Sequence, residues 1–277
     1  MLVKLLQEEE GEGKRGMATG EPVGLSEAKL LRETEGGLRK LGLQQAAEVV
    51  ADHAGEAARR KASHPAFLHG LLAAELEQRE RGFFQRHLRL ARFPAPKTLA
   101  DFDFGYQPSI DEGQIRELAG LSFLDRKENV VFIGPPGVGK THLAVAIGME
   151  SLSRGRTVLF VTAQELVASL RLAHRTNLLA GKLRSYTRPD LLIVDELGFL
   201  PMDDVDVANL FRLVSERYER GVMIVTSNVG YSQWGQLFGD QILASALLDR
   251  LLHHSITVNI NGFSYRLKDR LADLTEG

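Results

Sequence analysis

The chain has 277 residues, 44% hydrophobic and 25% charged, with no cysteine, which excludes wholesale disorder, disulfides, thiolate metal sites and cysteine nucleophiles. No apolar run reaches the ~18 residues of a membrane helix, and the opening residues turn acidic too early for a signal peptide. We therefore expect a soluble, cytoplasmic protein with no membrane partner.

Charge divides the chain into three parts. Residues 1–36 carry 5 Lys/Arg against 8 Asp/Glu (net −3), residues 37–97 carry 11 against 6 (net +5), and residues 98–277 carry 18 against 22 (net −4). The first part is rich in Gly and Glu and predicts a flexible acidic tail over residues 1–36. The basic part indicates a module that contacts a polyanion, although +5 is also ordinary for a helical domain.

Residues 37–93 show a helical hydrophobic period and predict a small, basic, all-α domain. The period uses Phe67, Leu68, Leu71, Leu72 and Leu76, and it leaves Glu75, Glu77, Arg79 and Glu80 on the outward face. A stripe of arginines follows on the same helix and is the candidate DNA contact: Arg79, Arg81, Arg86, Arg89 and Arg92.

Pro94 and Pro96 forbid continuation of that helix, so residues 94–104 are interpreted as a linker. Beyond it, short apolar runs alternate with longer helical stretches. The runs lie at Val130–Ile133, Val158–Val161, Leu191–Val194, Val222–Val225 and Ile256–Ile260. Strands separated by helices are typical of an α/β domain with a parallel sheet sandwiched by helices, here over residues 105–277.

A phosphate-binding loop follows the first of these runs. Residues 134–141 read GPPGVGKT, the pattern G-x-x-x-x-G-K-[ST] between a strand and a helix. Glycines let the backbone turn its N–H groups toward an anion, and the helix adds its positive N-terminal end. Lys140 would reach the β- and γ-phosphates, and Thr141 would offer its hydroxyl to Mg²⁺. The predicted nucleotide contacts are Gly134, Pro135, Pro136, Gly137, Val138, Gly139, Lys140, Thr141 and His142.

Asp195 and Glu196 follow the apolar run Leu191–Val194. They should therefore lie at the carboxyl edge of the predicted sheet, where parallel sheets bind nucleotides. Asp195 would hold Mg²⁺, and Glu196 would orient or deprotonate an attacking water. Asp195–Gly198 also fits the D-x-x-G of GTPases, but no N-K-x-D occurs, so adenine is favoured over guanine.

Four further residues are candidates for the predicted site or for a partner surface. Asn228 ends another strand and could sense the γ-phosphate, or could simply form a turn. Arg250 could be an arginine finger supplied to a neighbouring subunit, or could make a local salt bridge. Arg266 is a weaker candidate phosphate contact or second sensor. Trp234 fits either a partner surface or packing within its own domain.

Together, Gly134–Thr141, Leu191–Glu196, Ser227–Asn228 and Asp249–Arg250 resemble an AAA+ ATPase. Further segments are similar to the IstB-type helpers of insertion-sequence transposition: LRKLGL (38–43), residues 71–104, DELGFLPMD (195–203), YSQWGQLFGD (231–240), ALLDRLLHHS (246–255) and SYRLK (264–268).

This resemblance implies an ATPase that uses ATP and Mg²⁺, forms a homo-oligomer on duplex DNA, and recruits and stimulates a transposase. In family terms Lys140 and Thr141 belong to Walker A, Asp195 and Glu196 to Walker B, Asn228 to sensor 1 and Arg250 to the trans finger.

Three alternatives stay open. A DnaC-type helicase loader would share the ATP site but serve a replicative helicase. A phosphotransferase acting on a small metabolite would transfer the γ-phosphate to that metabolite instead of to water. A non-enzymatic DNA scaffold would use ATP only to hold subunits together.

Overall fold

The computed structural model describes residues 26–198, 202–237 and 241–267. The chain forms two compact units, Met1–Arg79 and Glu80–Gly277. The helices are α1 (Glu27–Lys40), α2 (Gln44–Arg60), α3 (His64–Ala91), α4 (Glu112–Ala119), α5 (Ser122–Arg126), α6 (Lys140–Ser153), α7 (Ala163–Arg175), α8 (Leu179–Thr187), α9 (Asp204–Arg217), α10 (Tyr231–Leu237) and α11 (Gln241–Leu252). The strands are β1 (Asn129–Ile133), β2 (Val158–Thr162), β3 (Leu191–Asp195), β4 (Val222–Ser227) and β5 (Ser255–Asn259), and a 3₁₀ turn spans Tyr265–Leu267.

The first unit is helical, but it begins earlier than the sequence predicts. Helix α1 starts at Glu27, so residues 27–36, predicted to belong to a flexible tail, are helical instead. A Glu35–Arg39 ion pair of 2.7 Å at i,i+4 spacing supports this helix, and Leu38 packs against the small core of the unit. Residues 1–25 of the predicted tail lie outside the described residues.

The orientation of α3 in this unit corrects a second expectation. Glu75 is buried, whereas Leu68, Leu72 and Leu76, predicted to face the core, are 53%, 43% and 58% exposed. A hydrogen bond explains this orientation of α3: a Glu75 carboxylate oxygen accepts the backbone N–H of Ala46 at 3.0 Å. A free N–H at the start of a helix needs an acceptor, and the residue that precedes α2, Leu43, provides no side-chain cap.

The second unit confirms the predicted α/β fold. Its five strands form one parallel sheet in the order β2-β3-β4-β1-β5. Apolar clusters cover both faces of the sheet, one around Phe132 and Ile193 and the other around Leu192 and Val225. Strands buried on both faces need continuous rather than alternating hydrophobic residues, which is why the five runs stand out in the sequence. In the described residues no helix has the length and apolarity needed to cross a bilayer.

The proline-containing segment 94–104 is not a free connector. Leu99, Phe102 and Phe104 pack against the cluster around Phe132, and the Phe102 and Phe104 rings lie 4.8 Å apart. The prolines do follow the end of α3, as expected, but the aromatic residues beyond them hold the segment on the sheet domain. Burial of three large apolar side chains supplies the attachment.

The Glu75 cap generates a test of the first unit. Hydrogen bonds to the Ala46 N–H and Arg79 lower the pKa of Glu75, so the cap stabilises the folded unit at neutral pH and is lost as pH falls through that lowered pKa. Glu75→Gln should speed amide hydrogen exchange at the start of α2 at pH 7, with the difference from wild type shrinking as pH falls below the ordinary glutamate pKa of 4.5. The matched control is Glu48→Gln, at an exposed site in α2. Equal exchange in both variants would contradict the cap.

Candidate nucleotide-binding site

A cavity of about 560 Å³ opens at the carboxyl edge of the sheet, where β1, β3 and β4 end side by side. In parallel α/β sheets this edge is where ligands bind. The cavity is lined by Pro94, Ala95, Lys97, Asp101, Phe102, Asp103, Gln107, Pro136, Gly137, Val138, Gly139, Lys140, Thr141, His142, Val145, Glu196, Thr226, Asn228, Tyr265 and Arg266.

The loop between β1 and α6 has the geometry of an anion cradle. Gly137 and Gly139 adopt φ of +82° and +101°, a region that side-chain-bearing residues rarely occupy, and α6 begins at the next residue, Lys140. A Cβ on Gly139 would also lie 2.5 Å from the Phe102 ring. The loop therefore brings its backbone N–H groups and the N-terminal end of α6 to the cavity.

Lys140 lies at the base of this loop and is only 6% exposed. Its ammonium donates to the carbonyl oxygens of Gly134 and Pro135, at 2.7 Å each. Burial lowers the pKa of Lys140 to about 8, against the opposing attraction of Asp195 and Glu196. A lysine held in this way responds strongly to an added anion, since the anion would restore the preference for the charged form.

Asp195 ends β3 as a buried carboxylate with two hydroxyl donors. The Thr141 hydroxyl lies 3.0 and 3.1 Å from its two oxygens, and the Thr226 hydroxyl donates to Oδ1 at 2.5 Å. The Thr141 hydroxyl and this carboxylate are hard oxygen donors of the kind that Mg²⁺ prefers, with its remaining positions left to water and phosphate. Within the described ranges no group of three or more His, Cys, Asp or Glu side chains is arranged to hold a metal ion by itself.

Glu196 and Asn228, the predicted base and sensor, both line the cavity. Glu196 is exposed and has φ of +61°, a left-handed conformation that costs on the order of 1 kcal/mol in a non-glycine residue. Its N–H donates to the Thr226 hydroxyl at 2.9 Å. The structure thus brings Lys140, Thr141 and the two strand-end residues to one cavity, as the spacing predicts.

The surroundings of Asn228 include Trp234, which is fully buried. Its indole N–H donates to Ser227 Oγ at 3.0 Å, and the same Oγ accepts the Val229 N–H at 3.2 Å. Of the two interpretations left open, packing within the domain holds. Trp234 and Ser227 fix the backbone on either side of Asn228.

Sequence reasoning missed the cavity wall formed by the segment 94–104. The His142 Nε2 lies 2.9 Å from the Thr98 carbonyl oxygen, and its ring packs edge-on against Phe102 at 5.2 Å. His142, predicted as a nucleotide contact, therefore lines the cavity while also anchoring its wall. The sequence offered one signal, the two phenylalanines of DFDF (101–104). They predict that this segment packs against other residues but not which residues those are.

The wall is completed from the other end of the domain. The Tyr265 N–H donates to the Gly137 carbonyl at 2.9 Å, and the Tyr106 hydroxyl donates to the Ser264 carbonyl at 3.4 Å. Arg266 follows and lines the cavity, where its positive charge disfavours the charged form of Lys140. Arg266, which the sequence offered as a weaker candidate phosphate contact, thus lines the same cavity as the phosphate loop.

Arg250 does not line the cavity of its own subunit. It lies on α11, where its guanidinium is 4.5 Å from the centre of the Phe211 ring and donates to Ser215 Oγ, both on α9. Among the ion pairs of the described residues none involves Arg250, so the local salt bridge considered from the sequence is absent there.

The predicted DNA-contacting arginines differ in their surroundings. Arg81, Arg86 and Arg89 lie exposed on α3. Arg89 donates to the Gln85 carbonyl at 3.4 Å, and Arg79 donates to Glu75 at 2.8 Å and to the Gly42 carbonyl at 2.9 Å. Arg92 lies past the end of α3 with φ of +58°. The even stripe predicted over Arg86, Arg89 and Arg92 is therefore wrong at Arg92, because α3 ends at Ala91.

The sequence matches the model of one protein family, IstB-like ATP binding protein, over residues 36–273. It is 48% identical over 208 residues to the putative ATP-binding protein of insertion sequence IS5376 from Geobacillus stearothermophilus, covering 75% of this chain and 83% of that protein. It is 46% identical over 215 residues to the putative ATP-binding protein of insertion sequence IS21 from Pseudomonas aeruginosa, covering 78% and 81%.

Solved structures show the same fold at low identity. DnaA from Aquifex aeolicus bound to AMPPCP gives a TM-score of 0.52 at 22% identity, over 67% of this chain and 57% of that chain. The structure of DnaI gives a TM-score of 0.51 at 22% identity, over 62% and 93%. These similarities confirm the predicted P-loop AAA+ architecture.

The lowered pKa of Lys140 gives a pH test of the cavity. Near pH 8.5 a large share of the free protein should carry a neutral Lys140, so binding of a nucleoside triphosphate should take up to about one proton. At pH 6.5 Lys140 is already charged and uptake by it should vanish. Calorimetry in buffers of different ionisation enthalpy measures the difference, and Lys140→Arg, charged throughout, is the control. Equal uptake by wild type and Lys140→Arg at pH 8.5 would refute this assignment.

Proposed function

The chain belongs to the family of IstB-like ATP-binding proteins, and from that membership we propose that it regulates insertion-sequence transposition by hydrolysing ATP while assembled on duplex DNA. The single observation that carries the proposal is the convergence of the Lys140 loop, Glu196 and Asn228 at one cavity, with the buried Asp195 hydrogen-bonded to Thr141 of that cavity. The names of the relatives, ATP-binding proteins of insertion sequences, support the biological setting.

Different residues at the cavity have different roles in hydrolysis. Lys140 and the loop N–H groups hold the β- and γ-phosphates of the substrate, while Thr141 and Asp195 would hold Mg²⁺, which would neutralise charge on those phosphates. The γ-phosphoryl group of the nucleotide passes to water, and the nucleoside diphosphate leaves. Glu196 accepts the proton of that water, and Asn228 orients it.

Arg250 completes the site from a neighbouring copy of the chain. Its position against α9, away from its own cavity, is what a residue that acts across a subunit contact requires. A guanidinium placed beside the transferring phosphoryl group stabilises the charge of the transition state. Hydrolysis is thereby coupled to assembly, since an isolated subunit lacks the arginine.

The DNA and transposase partners are inferred from two separate features. Exposed Arg81, Arg86 and Arg89 on α3 supply positive charge for phosphate contacts. The insertion-sequence relatives, at 46–48% identity, favour a transposase as the protein partner over the replicative helicase of the loader alternative. The DnaI similarity, at 22% identity, reports shared fold only.

Mixing two inactive variants tests hydrolysis and the trans arginine together. Glu196→Gln and Arg250→Ala should each bind ATP normally, and each should lose turnover, with Arg250→Ala falling by on the order of 10³-fold or more. An equal mixture should recover about one quarter of wild-type turnover, because a Glu196 site then meets an Arg250 donor at roughly one subunit interface in four. No recovery from mixtures that co-assemble would exclude the trans finger.

Salt dependence tests the DNA contact. Arg86→Ala combined with Arg89→Ala should weaken binding to duplex DNA uniformly across sequences and reduce the slope of log K against log[salt] by about 2, since each arginine neutralises one phosphate. Sedimentation with ATP and duplex DNA should show large particles only when both are present. The matched control is Arg212→Ala, an exposed arginine of α9 paired with Glu216. An unchanged salt slope in the double variant would rule out this surface.

A further inference from the structure

Thr226, the second-last residue of β4, contacts three consecutive residues at the point where the chain leaves β3. Its hydroxyl donates to Asp195 Oδ1 at 2.5 Å and accepts the Glu196 N–H at 2.9 Å. Its carbonyl oxygen accepts the Leu197 N–H at 2.8 Å. The residue is fully buried.

The three bonds act on a strained part of the backbone. Glu196 has φ of +61°, and Gly198, two residues further on, has φ of +119°. A left-handed residue persists only where its surroundings hold it there. The bonds from Thr226 to the residues on both sides of Glu196, and to Glu196 itself, provide that restraint.

A hydroxyl is the group this position requires. It must donate to the Asp195 carboxylate and accept from the Glu196 N–H at the same time, and an oxygen with one proton and two lone pairs does both. Valine has the same shape as threonine but would leave the Glu196 N–H without its acceptor and would take one donor from Asp195.

We propose that Thr226 is a positioning residue for ATP hydrolysis: it fixes the backbone turn that aims the Glu196 carboxylate at the attacking water. The inference rests on the proposed ATPase activity. The Thr226 hydroxyl is committed to Asp195 and Glu196 and acts through them. Asn228, two residues later and just past the end of β4, reaches the cavity directly, so this strand serves the site twice.

The test uses the full-length protein with Mg²⁺-ATP and duplex DNA. Thr226→Val should lower kcat by roughly 10- to 100-fold, as loss of a hydrogen bond that orients an active group commonly does, while KM for ATP stays near wild type. Its melting temperature should fall, because a buried N–H and a buried carboxylate each lose a hydrogen bond. Thr226→Ser keeps the hydroxyl and should restore kcat. The matched control is Thr257→Val in β5, whose hydroxyl pairs with Tyr231 away from the cavity; its kcat should equal that of wild type.

A double-variant cycle separates positioning from a general structural effect. Because Thr226 acts partly through Glu196, Thr226→Val should cause a smaller fold-loss of turnover in the Glu196→Gln background than in the wild-type background. Losses that multiply would overturn the proposal, as would wild-type kcat in Thr226→Val or equal impairment of the Val and Ser variants. If Thr226→Val does not fold, Thr226→Cys, whose thiol bonds weakly, replaces it with the same expected split between kcat and KM.

Failure of this inference is distinguishable from failure of the proposed function. A wild-type protein that shows no turnover with DNA present would refute the ATPase itself, whatever the variants do. A wild-type protein that hydrolyses ATP, with Thr226→Val equal to it, would remove only the role of Thr226.

Discussion

A buried carboxylate at the end of β3 is the constraint on which the site depends. Asp195 is 5% exposed, and a charge in that position is tolerable only when donors surround it. Thr141 approaches from the phosphate loop and Thr226 from β4, so the carboxylate joins three elements that are distant in sequence. Satisfying one buried charge therefore also sets the separation between Thr141, β4 and Glu196.

The sheet and most of the cavity could be predicted because their signals are local. Continuous apolar runs mark strands buried on both faces, and a residue that ends such a strand lies at the carboxyl edge whatever its side chain does. This rule places Asp195 and Asn228, and the glycine pattern of the loop after β1 places Lys140 at the same edge. It misses Thr226, because a threonine inside an apolar run is equally typical of an ordinary strand.

What the sequence did not reveal depends on contacts across the chain. Periodicity assigned Leu76 to the core and Glu75 to solvent, but the unsatisfied Ala46 N–H at the start of α2 draws Glu75 inward, and the helix turns with it. From the sequence alone, Phe102 is equally compatible with a linker and with a cavity wall. Its contact with the left-handed Gly139 becomes visible only in the structure. Polar satisfaction and close backbone approach are properties of pairs, so no single segment displays them.

Gly137 illustrates a limit on exchanging parts between related nucleotide-binding proteins. The general pattern of the phosphate loop allows any residue there, yet a Cβ on Gly137 would lie 2.1 Å from Ser264 Oγ, and φ is +82°. The segment around Ser264 and the loop are therefore matched to each other. A chimera that imports a loop with a larger residue at this position would need the corresponding carboxy-terminal segment from the same donor, so recombination between insertion elements should preserve the two stretches as one inherited block.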